Sequence, residues 1–262
     1  MSPAAPRSQS TIGSEAELLT LLETLYNSRN PTRRWLHCTR RDWIRTKIEQ
    51  SARERPGRAL ETGFGAGVYL PTLADCYREV IAADLDEAHI EHAQPLLERY
   101  PHLQLVTDNI TQSRLPGASF DLILCSEVLE HIPDTQRVIG EIRRLLAPGG
   151  ILIISTPQRH SLLELACKVA FLPGIVQVVR RIYREAVFET GHINLLTADE
   201  LSATLQAYGF HLREHYKSGM YIPLLAEFGG TVGLGLERWL EKQLRVGPLS
   251  FLLWTQYYVA QI

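Results

Sequence analysis

Residues 60–68, Leu60-Glu61-Thr62-Gly63-Phe64-Gly65-Ala66-Gly67-Val68, decide how this chain folds. Ala59 to Glu61 reads as the end of a short apolar strand, and a helix is expected from Val68. Between them stand three glycines at alternate positions. They let the backbone turn sharply and come close to a ligand with no side chain in the way. The spacing departs from the dinucleotide pattern Gly-x-Gly-x-x-Gly. Val68 stands where that pattern needs its third glycine, and Gly67 falls one residue early. Nicotinamide and flavin chemistry are therefore disfavoured. A tight strand–helix turn that binds nothing is the plain alternative at this point.

Working outward, short apolar runs alternate with amphipathic segments. Strands are expected at Val80–Ala83, Leu103–Val106, Phe120–Cys125 and Ile151–Ser155, and helices at Asp86–Tyr100 and Thr135–Leu146. Pro148-Gly149-Gly150 marks a turn before the fifth strand. Repeated strand–helix units imply an α/β fold, a parallel sheet covered on both faces. The rhythm then breaks. Leu162–Val187 reads as helical with an interruption at Pro173-Gly174, and Thr197–Tyr208 as a helix with Thr197 as cap and Glu200 at the capping-box position. A sixth strand over Phe210–Tyr216, a helical insert at about 232–244 and a β-rich run over Phe251–Ala260 follow. Upstream, residues 1–14 read as a disordered tail. Residues 15–56 read as a helical cap, with Ser14 and Glu17 capping a first helix and Pro31 opening a second. Residues 57–262 form the main domain, with helical insertions at about 159–190 and 219–247.

Composition sets outer limits. The chain has 262 residues, a net charge of −2 and 45% hydrophobic residues, which suits one large α/β domain and gives no overall pull toward nucleic acid or anionic membrane. Cys38, Cys76, Cys125 and Cys167 form no Cys-x-x-Cys pair, so zinc and redox motifs have little support and a reducing, cytoplasmic setting is expected. The N-terminus lacks the apolar core of a secretory signal. Gly219–Leu236 is apolar but holds Pro223, Glu227 and several glycines, so a buried segment is expected there rather than a membrane span.

Acidic residues at successive strand ends narrow the ligand. S-adenosylmethionine carries an ammonium, a carboxylate and a sulfonium, and no phosphate. Glu61 suits the ammonium. Asp84, at the second strand end, suits two ribose hydroxyls, while Asp86 suits plain helix capping. Asp108, after the third strand, suits an adenine amino group, with Asn109 or Ile110 along the ring; an Asp-Asn turn is the alternative. Residues 60–157 resemble the class I S-adenosylmethionine-dependent methyltransferases, through Glu61–Gly67, Ala83-Asp84-Leu85-Asp86, Thr107-Asp108-Asn109, Phe120-Asp121-Leu122-Ile123 and Leu146–Ile151. The resemblance implies a seven-stranded Rossmann-like sheet of order 3-2-1-4-5-7-6 with strand seven antiparallel. It also implies that Glu61, Gly63 and Gly65 meet the methionine part, Asp84 the ribose and Asp108 the adenine. Gly67, Leu85 and Ser126 complete the expected cofactor contacts.

Cys125-Ser126-Glu127-Val128-Leu129-Glu130-His131 follows the fourth strand and resembles the ubiquinone-biosynthesis O-methyltransferases, as does Gly191-His192-Ile193-Asn194. The Asn/Asp-Pro-Pro-Tyr signature of DNA and glutamine N-methylation is missing. A protonated phenol or carboxylic acid is a poor nucleophile, so a nearby base helps, and His131 suits that role. A structural histidine that orients the loop is the equal alternative, and His192 is a second candidate. No metal is expected, although Glu127, Glu130 and His131 would share one face if the stretch were helical. Residues 159–190 supply an apolar lid that either touches a membrane interface or packs on the sheet as an ordinary helix pair. Arg29, Arg33, Arg34, Arg40, Arg41, Arg45 and Lys47 make the N-terminal helices basic, but no stacking aromatics accompany them, which disfavours RNA. The expected acceptor is a small lipophilic molecule methylated on oxygen. C- or N-methylation, an RNA-directed enzyme and a catalytically silent binding subunit are the alternatives.

Overall fold

A computed structural model describes residues 25–170 and 192–262. The expected tail over 1–14, nearly all of the first helix and the second half of the 159–190 insertion lie outside the described residues.

Seven strands form one sheet in the order β3-β2-β1-β4-β5-β7-β6. They are β1 (Arg58–Thr62), β2 (Glu79–Asp84), β3 (Leu103–Thr107), β4 (Phe120–Ser126), β5 (Leu146–Pro157), β6 (His211–Ser218) and β7 (Thr255–Gln261). The first five pair in parallel, and β7 lies antiparallel to both β5 and β6. The expected order and the reversed seventh strand are what the structure has. Parallel pairing places the ends of β1 to β5 along one edge, where a doubly wound sheet binds its ligands.

The near-continuous apolar runs of β1, β2 and β4 are buried because helices cover both faces. On one face α1 (Pro31–Glu54) packs Ile44, Ile48 and Ala52 against Ala59, Leu122 and Leu124. It shares that face with α2 (Leu70–Cys76) and α3 (Glu87–Ala93). On the other, α5 (Thr135–Leu145) sets Val138, Ile139, Ile142 and Leu145 at helical spacing against Leu60, Ile123 and Ile154, beside α7 (Ala198–Ala207).

Capping residues set the helix starts. Asn30 accepts hydrogen bonds from the N–H groups of Thr32 and Arg33, with Pro31 at the first helical position. At α7 the capping box of Thr197 and Glu200 is formed in both directions. Four boundaries differ from expectation. β5 begins at Leu146, so Pro148-Gly149-Gly150 lies inside the strand and not before it; Phe120 pairs with Leu146 and Leu122 with Ile151, which leaves residues 147–150 as an irregularity in the register. The helix after the glycine loop begins at Leu70, because Gly67 at φ +69° keeps Val68 and Tyr69 in a turn. The single helix expected over Asp86–Tyr100 is broken at Pro95, which has no N–H to donate, and resumes as α4 (Leu96–Arg99). The run 251–254 precedes β7 in a 3₁₀ turn and its exit.

The insertion before β7 is a helical corner, α8 (Pro223–Phe228) and α9 (Gly230–Leu244), placed after α6 (Leu162–Ala170) in the chain. Gly229 and Gly233 allow the tight corner: a Cβ at either would lie 2.5 or 2.6 Å from the Leu225 carbonyl oxygen. No helix among the described residues is long and apolar enough to cross a membrane. The expectation of a buried segment over Gly219–Leu236 holds for one face alone, since Leu224, Phe228 and Val232 are exposed.

Candidate active site

The glycine loop leaves β1 beside two carboxylates with opposite fates. Glu61 is 2% exposed, and its Oε2 has no hydrogen-bond partner among the described residues. Burial, and then the negative charge of Asp84, push its carboxyl well above the ordinary range. Asp84 is pinned. Its Oδ2 accepts from the Gly65 N–H at 3.0 Å and lies 3.1 Å from His89 Nδ1, and its Oδ1 accepts from the Asp86 N–H at 3.0 Å. Burial is the largest effect and would raise Asp84, but the hydrogen bonds from His89, Asp86 and Gly65 outweigh it and hold the carboxyl below its usual value. His89 was not singled out in the sequence; the signal was its place one turn into the helix that Asp86 caps.

The loop itself is shaped as a cradle. Gly63 at φ +65° donates to the Ala83 carbonyl at 2.8 Å, and a Cβ there would sit 2.6 Å from Val128 Cγ2. Gly65 at φ +53° faces open space. An orphaned buried carboxylate next to an open, positive-φ glycine fits an ammonium-bearing ligand whose chain runs over the loop.

At the next strand ends, Asp108 Oδ1 accepts from the Arg114 N–H at 2.9 Å. Asn109 caps a short 3₁₀ turn through Thr111, and Ile110 is packed in the core. Leu85 stands 63% exposed beside Asp84. Ser126 Oγ shares a hydrogen bond with Ser155 Oγ at 2.9 Å, and Ser155 Oγ donates to Glu127 Oε1 at 3.0 Å.

Glu127 reverses two expectations. Its backbone is left-handed, at φ +57°, so residues 127–131 are not one helix; a 3₁₀ turn spans Leu129–His131. The trio Glu127, Glu130 and His131 does not share one face. Glu127 instead pairs with Arg40 from α1. Arg40 is buried, with its guanidinium 5.3 Å from the Trp254 ring centre and Nη2 donating to His37 Nδ1 at 3.3 Å. Burial, then Arg40 and Arg33, push His37 down to about 3, so it stays neutral and accepts that bond. Arg40 therefore does not belong to a solvated basic face. Its phase shows why: Leu36, Arg40, Ile44 and Ile48 recur every four residues along the buried side of α1. Three others of the basic set pair with acids, Arg33 with Glu227, Arg41 with Asp42 and Lys47 with Glu214, while Arg34 and Arg45 donate to the Ser28 and Val68 carbonyls.

The group that does converge at the β4 end is Glu130, His131 and His192, whose ligand atoms all lie within 4.8 Å of one another. The His131 and His192 rings meet edge to face, 5.4 Å apart. The Glu130 carbonyl draws the second loop in, accepting from the N–H groups of Ile193 at 2.9 Å and Asn194 at 3.1 Å. The Asn194 side chain donates to the Ile132 carbonyl at 2.8 Å and to Thr135 Oγ1 at 2.7 Å. Behind His192, its Nδ1 lies 3.2 Å from the buried carboxylate of Glu164 on α6. Glu164 was also missed; an acid inside the apolar run Leu162–Val169 was its signal. Glu130 is buried, accepts from Thr156 Oγ1 at 2.9 Å and keeps Oε1 without a partner among the described residues. Burial first, and then Glu127, raise its carboxyl well above normal.

Residues 34–215 match the methyltransferase domain family, well over half of the chain. The chain belongs to the S-adenosylmethionine-dependent methyltransferase family. A probable S-adenosylmethionine-dependent methyltransferase of Mycolicibacterium smegmatis is 32% identical over 155 residues, 59% of this chain and 52% of the relative. This chain thus spans about half the length of the curated relatives it first matches. A ubiquinone biosynthesis O-methyltransferase of Xylella fastidiosa is 28% identical over 184 residues, 68% of this chain and 69% of the relative. Among solved structures, an S-adenosylmethionine-dependent methyltransferase from Aquifex aeolicus superposes with a TM-score of 0.57 at 13% identity, covering 96% of this chain and all of that one, which bears on the fold alone. In this methyltransferase domain the glycine loop and the acids at the strand ends occupy the sheet edge on which the family's fold places its methyl donor.

Proposed function

We propose that this chain transfers the methyl group of S-adenosylmethionine to an oxygen of a small, lipophilic acceptor. The observation that carries the oxygen reading is the array Glu164–His192–His131 at the end of β4. The bound donor supplies an electrophilic methyl on a sulfonium. The chain's own residues do the rest. Glu61 holds the ammonium, Gly63 and Gly65 let the methionine chain pass, Asp84 takes the ribose hydroxyls and Asp108 the adenine amino group, with Leu85 against the ring. With Nδ1–H of His192 directed at Glu164, Nε2 keeps its lone pair for a proton. His131 and His192 together form the proton-accepting site for a phenol or carboxylic acid, and Glu164 is a positioning residue that fixes the tautomer. The likeness to a ubiquinone biosynthesis O-methyltransferase and the exposed Leu165 and Val169 on α6 support an apolar oxygen acceptor.

The test is turnover of a panel of alkylphenols by His131→Ala, His192→Ala and Glu164→Gln, with donor affinity measured in parallel. Loss of the base should lower kcat by roughly 10²–10⁴-fold while the donor Kd changes little. Full-speed turnover by both histidine variants would end the proton-acceptor reading. One observation favours a second reading: the convergence of Glu130, His131 and His192, with Glu130 Oε1 unpartnered, could hold a divalent ion that lowers the acceptor's pKa. Activity abolished by a chelator and restored by Mg²⁺ or Zn²⁺ would establish that role instead.

A further inference from the structure

We propose that the outer face of the α8–α9 corner docks on the surface of an anionic lipid bilayer. On α9 and just past its end, Val232, Leu236, Trp239 and Val246 recur at i, i+4, i+7 and i+14, a single stripe along a helix. That stripe faces outward: Val232 is 83% exposed, Trp239 57% and Val246 94%. Leu224 and Phe228 on α8, four residues apart and also exposed, extend the surface around the corner. Large apolar side chains scattered singly need no explanation, but a contiguous exposed set at helical spacing marks a surface that meets something apolar.

Charge is sorted across the same two helices. The three carboxylates turn inward, each with a structural partner. Glu227 receives Arg33 and the Tyr221 hydroxyl, Glu237 receives Thr32 Oγ1 at 2.6 Å and the Ile222 N–H at 2.9 Å, and Glu241 receives the Gly219 N–H at 2.7 Å and Arg245. The exposed charges over 223–251 are Arg238 and Lys242, both basic, and among these described residues no carboxylate is exposed. At roughly 100° per residue, both cations fall on one flank of the apolar stripe. An apolar face, an exposed tryptophan and a cationic border without acids suit a helix lying in a bilayer interface, with the apolar side chains among the acyl chains and the cations among anionic headgroups. A spanning role is not available to these helices, since none among the described residues is long and apolar enough. A two-fold contact with a second copy fits less well. On this face neither Arg238 nor Lys242 would find an exposed acid on the copy to pair with.

The experiment is co-sedimentation of the full chain with vesicles of phosphatidylglycerol and phosphatidylcholine, against vesicles of phosphatidylcholine alone, with tryptophan emission read in parallel. Binding to the anionic vesicles, weakened by salt and accompanied by a blue shift, is expected. Trp239→Phe should lose the shift and keep binding, which assigns it among the four tryptophans. Leu236→Glu with Trp239→Glu should weaken vesicle binding at least tenfold while circular dichroism, Tm and S-adenosylmethionine affinity stay at the wild-type level. Arg238→Glu with Lys242→Glu should remove the preference for anionic vesicles. No binding at millimolar lipid, or undiminished binding by the Leu236/Trp239 double variant, would overturn the proposal. A concentration-dependent dimer that this variant dissociates, without vesicle binding, would also overturn it and make the face an interface between copies. These readouts require no acceptor, so they stand or fall apart from the oxygen-methylation reading.

Discussion

Replacing Glu61 by glutamine should stabilise the protein and weaken its hold on the methyl donor. The side chain keeps its shape, so packing around a residue that is 2% exposed changes little. Its charge is what the site resists, because burial and Asp84 both raise the carboxyl. The folded-state pKa lies above that of the unfolded chain, about 4.3 for glutamate. Between those two values the folded protein holds a proton that the unfolded chain has lost. Stability therefore falls as pH rises, by about 1.4 kcal/mol per unit, and levels off above the folded-state value. Glu61→Gln removes this slope. Each kcal/mol recovered should appear as roughly 2–4 °C in Tm for a domain of this size, measured at pH 8 and absent at pH 4. Donor binding should move the other way. A charge-assisted hydrogen bond to the ammonium contributes about 1.5–3 kcal/mol, so affinity should drop roughly 10- to 150-fold. In the wild type below the folded-state pKa of Glu61, an arriving ammonium favours the carboxylate and expels the proton. Calorimetry in two buffers of different ionisation enthalpy should register that release in the wild type and not in the variant. A Glu61→Gln protein that is less stable at pH 8, or that binds S-adenosylmethionine as tightly as the wild type, would refute the assignment of Glu61 to the ammonium.

Two further substitutions separate fold from function. Gly63→Ala and Gly65→Ala both impose a left-handed backbone on a Cβ-bearing residue, a cost of about 1–2 kcal/mol. Gly63→Ala alone also collides with Val128, whereas the Cβ of Gly65→Ala enters the open space assigned to the donor. Gly63→Ala should thus show the larger fall in denaturation midpoint, and Gly65→Ala a loss of donor affinity out of proportion to its smaller fall; normal donor binding by Gly65→Ala would remove the loop from the site. Arg40→Met leaves Glu127 without its buried partner and should destabilise by about 3–5 kcal/mol in chemical denaturation, with Glu127→Gln added in the same chain recovering part of it. No recovery would mean that Arg40 acts through packing on Trp254 rather than through the pair.

The sheet was legible because it is written locally. Apolar runs of strand length and the glycines after β1 each declare themselves within a few positions, and the resemblance supplied the strand order that local pattern does not carry; Pro148-Gly149-Gly150, which reads as a turn, lies inside β5 as a register irregularity. The acids at the strand ends were legible for the same reason, since a residue at the end of a recognised strand has a known place in a parallel sheet. What escaped was written at long range. Arg40 meets Glu127 across 87 positions, and His192 meets Glu164 across 28, in a helix read only as apolar. Counting cations put Arg40 on a basic surface, whereas its phase with Leu36, Ile44 and Ile48 put it inside. The stretch 127–131 was read at helical spacing, and nothing in a non-glycine residue announces the left-handed backbone of Glu127. His192, and not Glu127, converges with Glu130 and His131.

Six of the buried polar atoms left without partners among the described residues lie beside the residues named for chemistry. Glu61 Oε2, Tyr69 Oη, Glu130 Oε1, Arg40 Nε, Trp254 Nε1 and Thr255 Oγ1 are all buried and unpartnered among the described residues. Glu61 and Glu130 lie at or beyond the carboxyl ends of β1 and β4, and Tyr69 ends the loop that follows β1. Arg40 reaches the β4 end through Glu127, and Trp254 and Thr255 open β7 opposite Pro157, at the carboxyl end of β5. Each such atom costs about 1–3 kcal/mol in a folded interior, so folded proteins keep them few. They are not confined to the carboxyl edge of the sheet, since Arg58 Nε and Tyr100 Oη are also unpartnered at the opposite one, where the half-buried Asp121 receives Arg55 and the Arg58 N–H. A domain that leaves donors and acceptors unspent at the edge where its fold binds ligands holds hydrogen-bonding capacity that ligands can complete. Glu61 offers an acceptor for a cation on the donor side, and Tyr69, Arg40 and Trp254 offer donors on the side covered by α1. For the apolar oxygen acceptor proposed above, these donors would meet its few oxygens, with Arg40 lying beside the Trp254 ring.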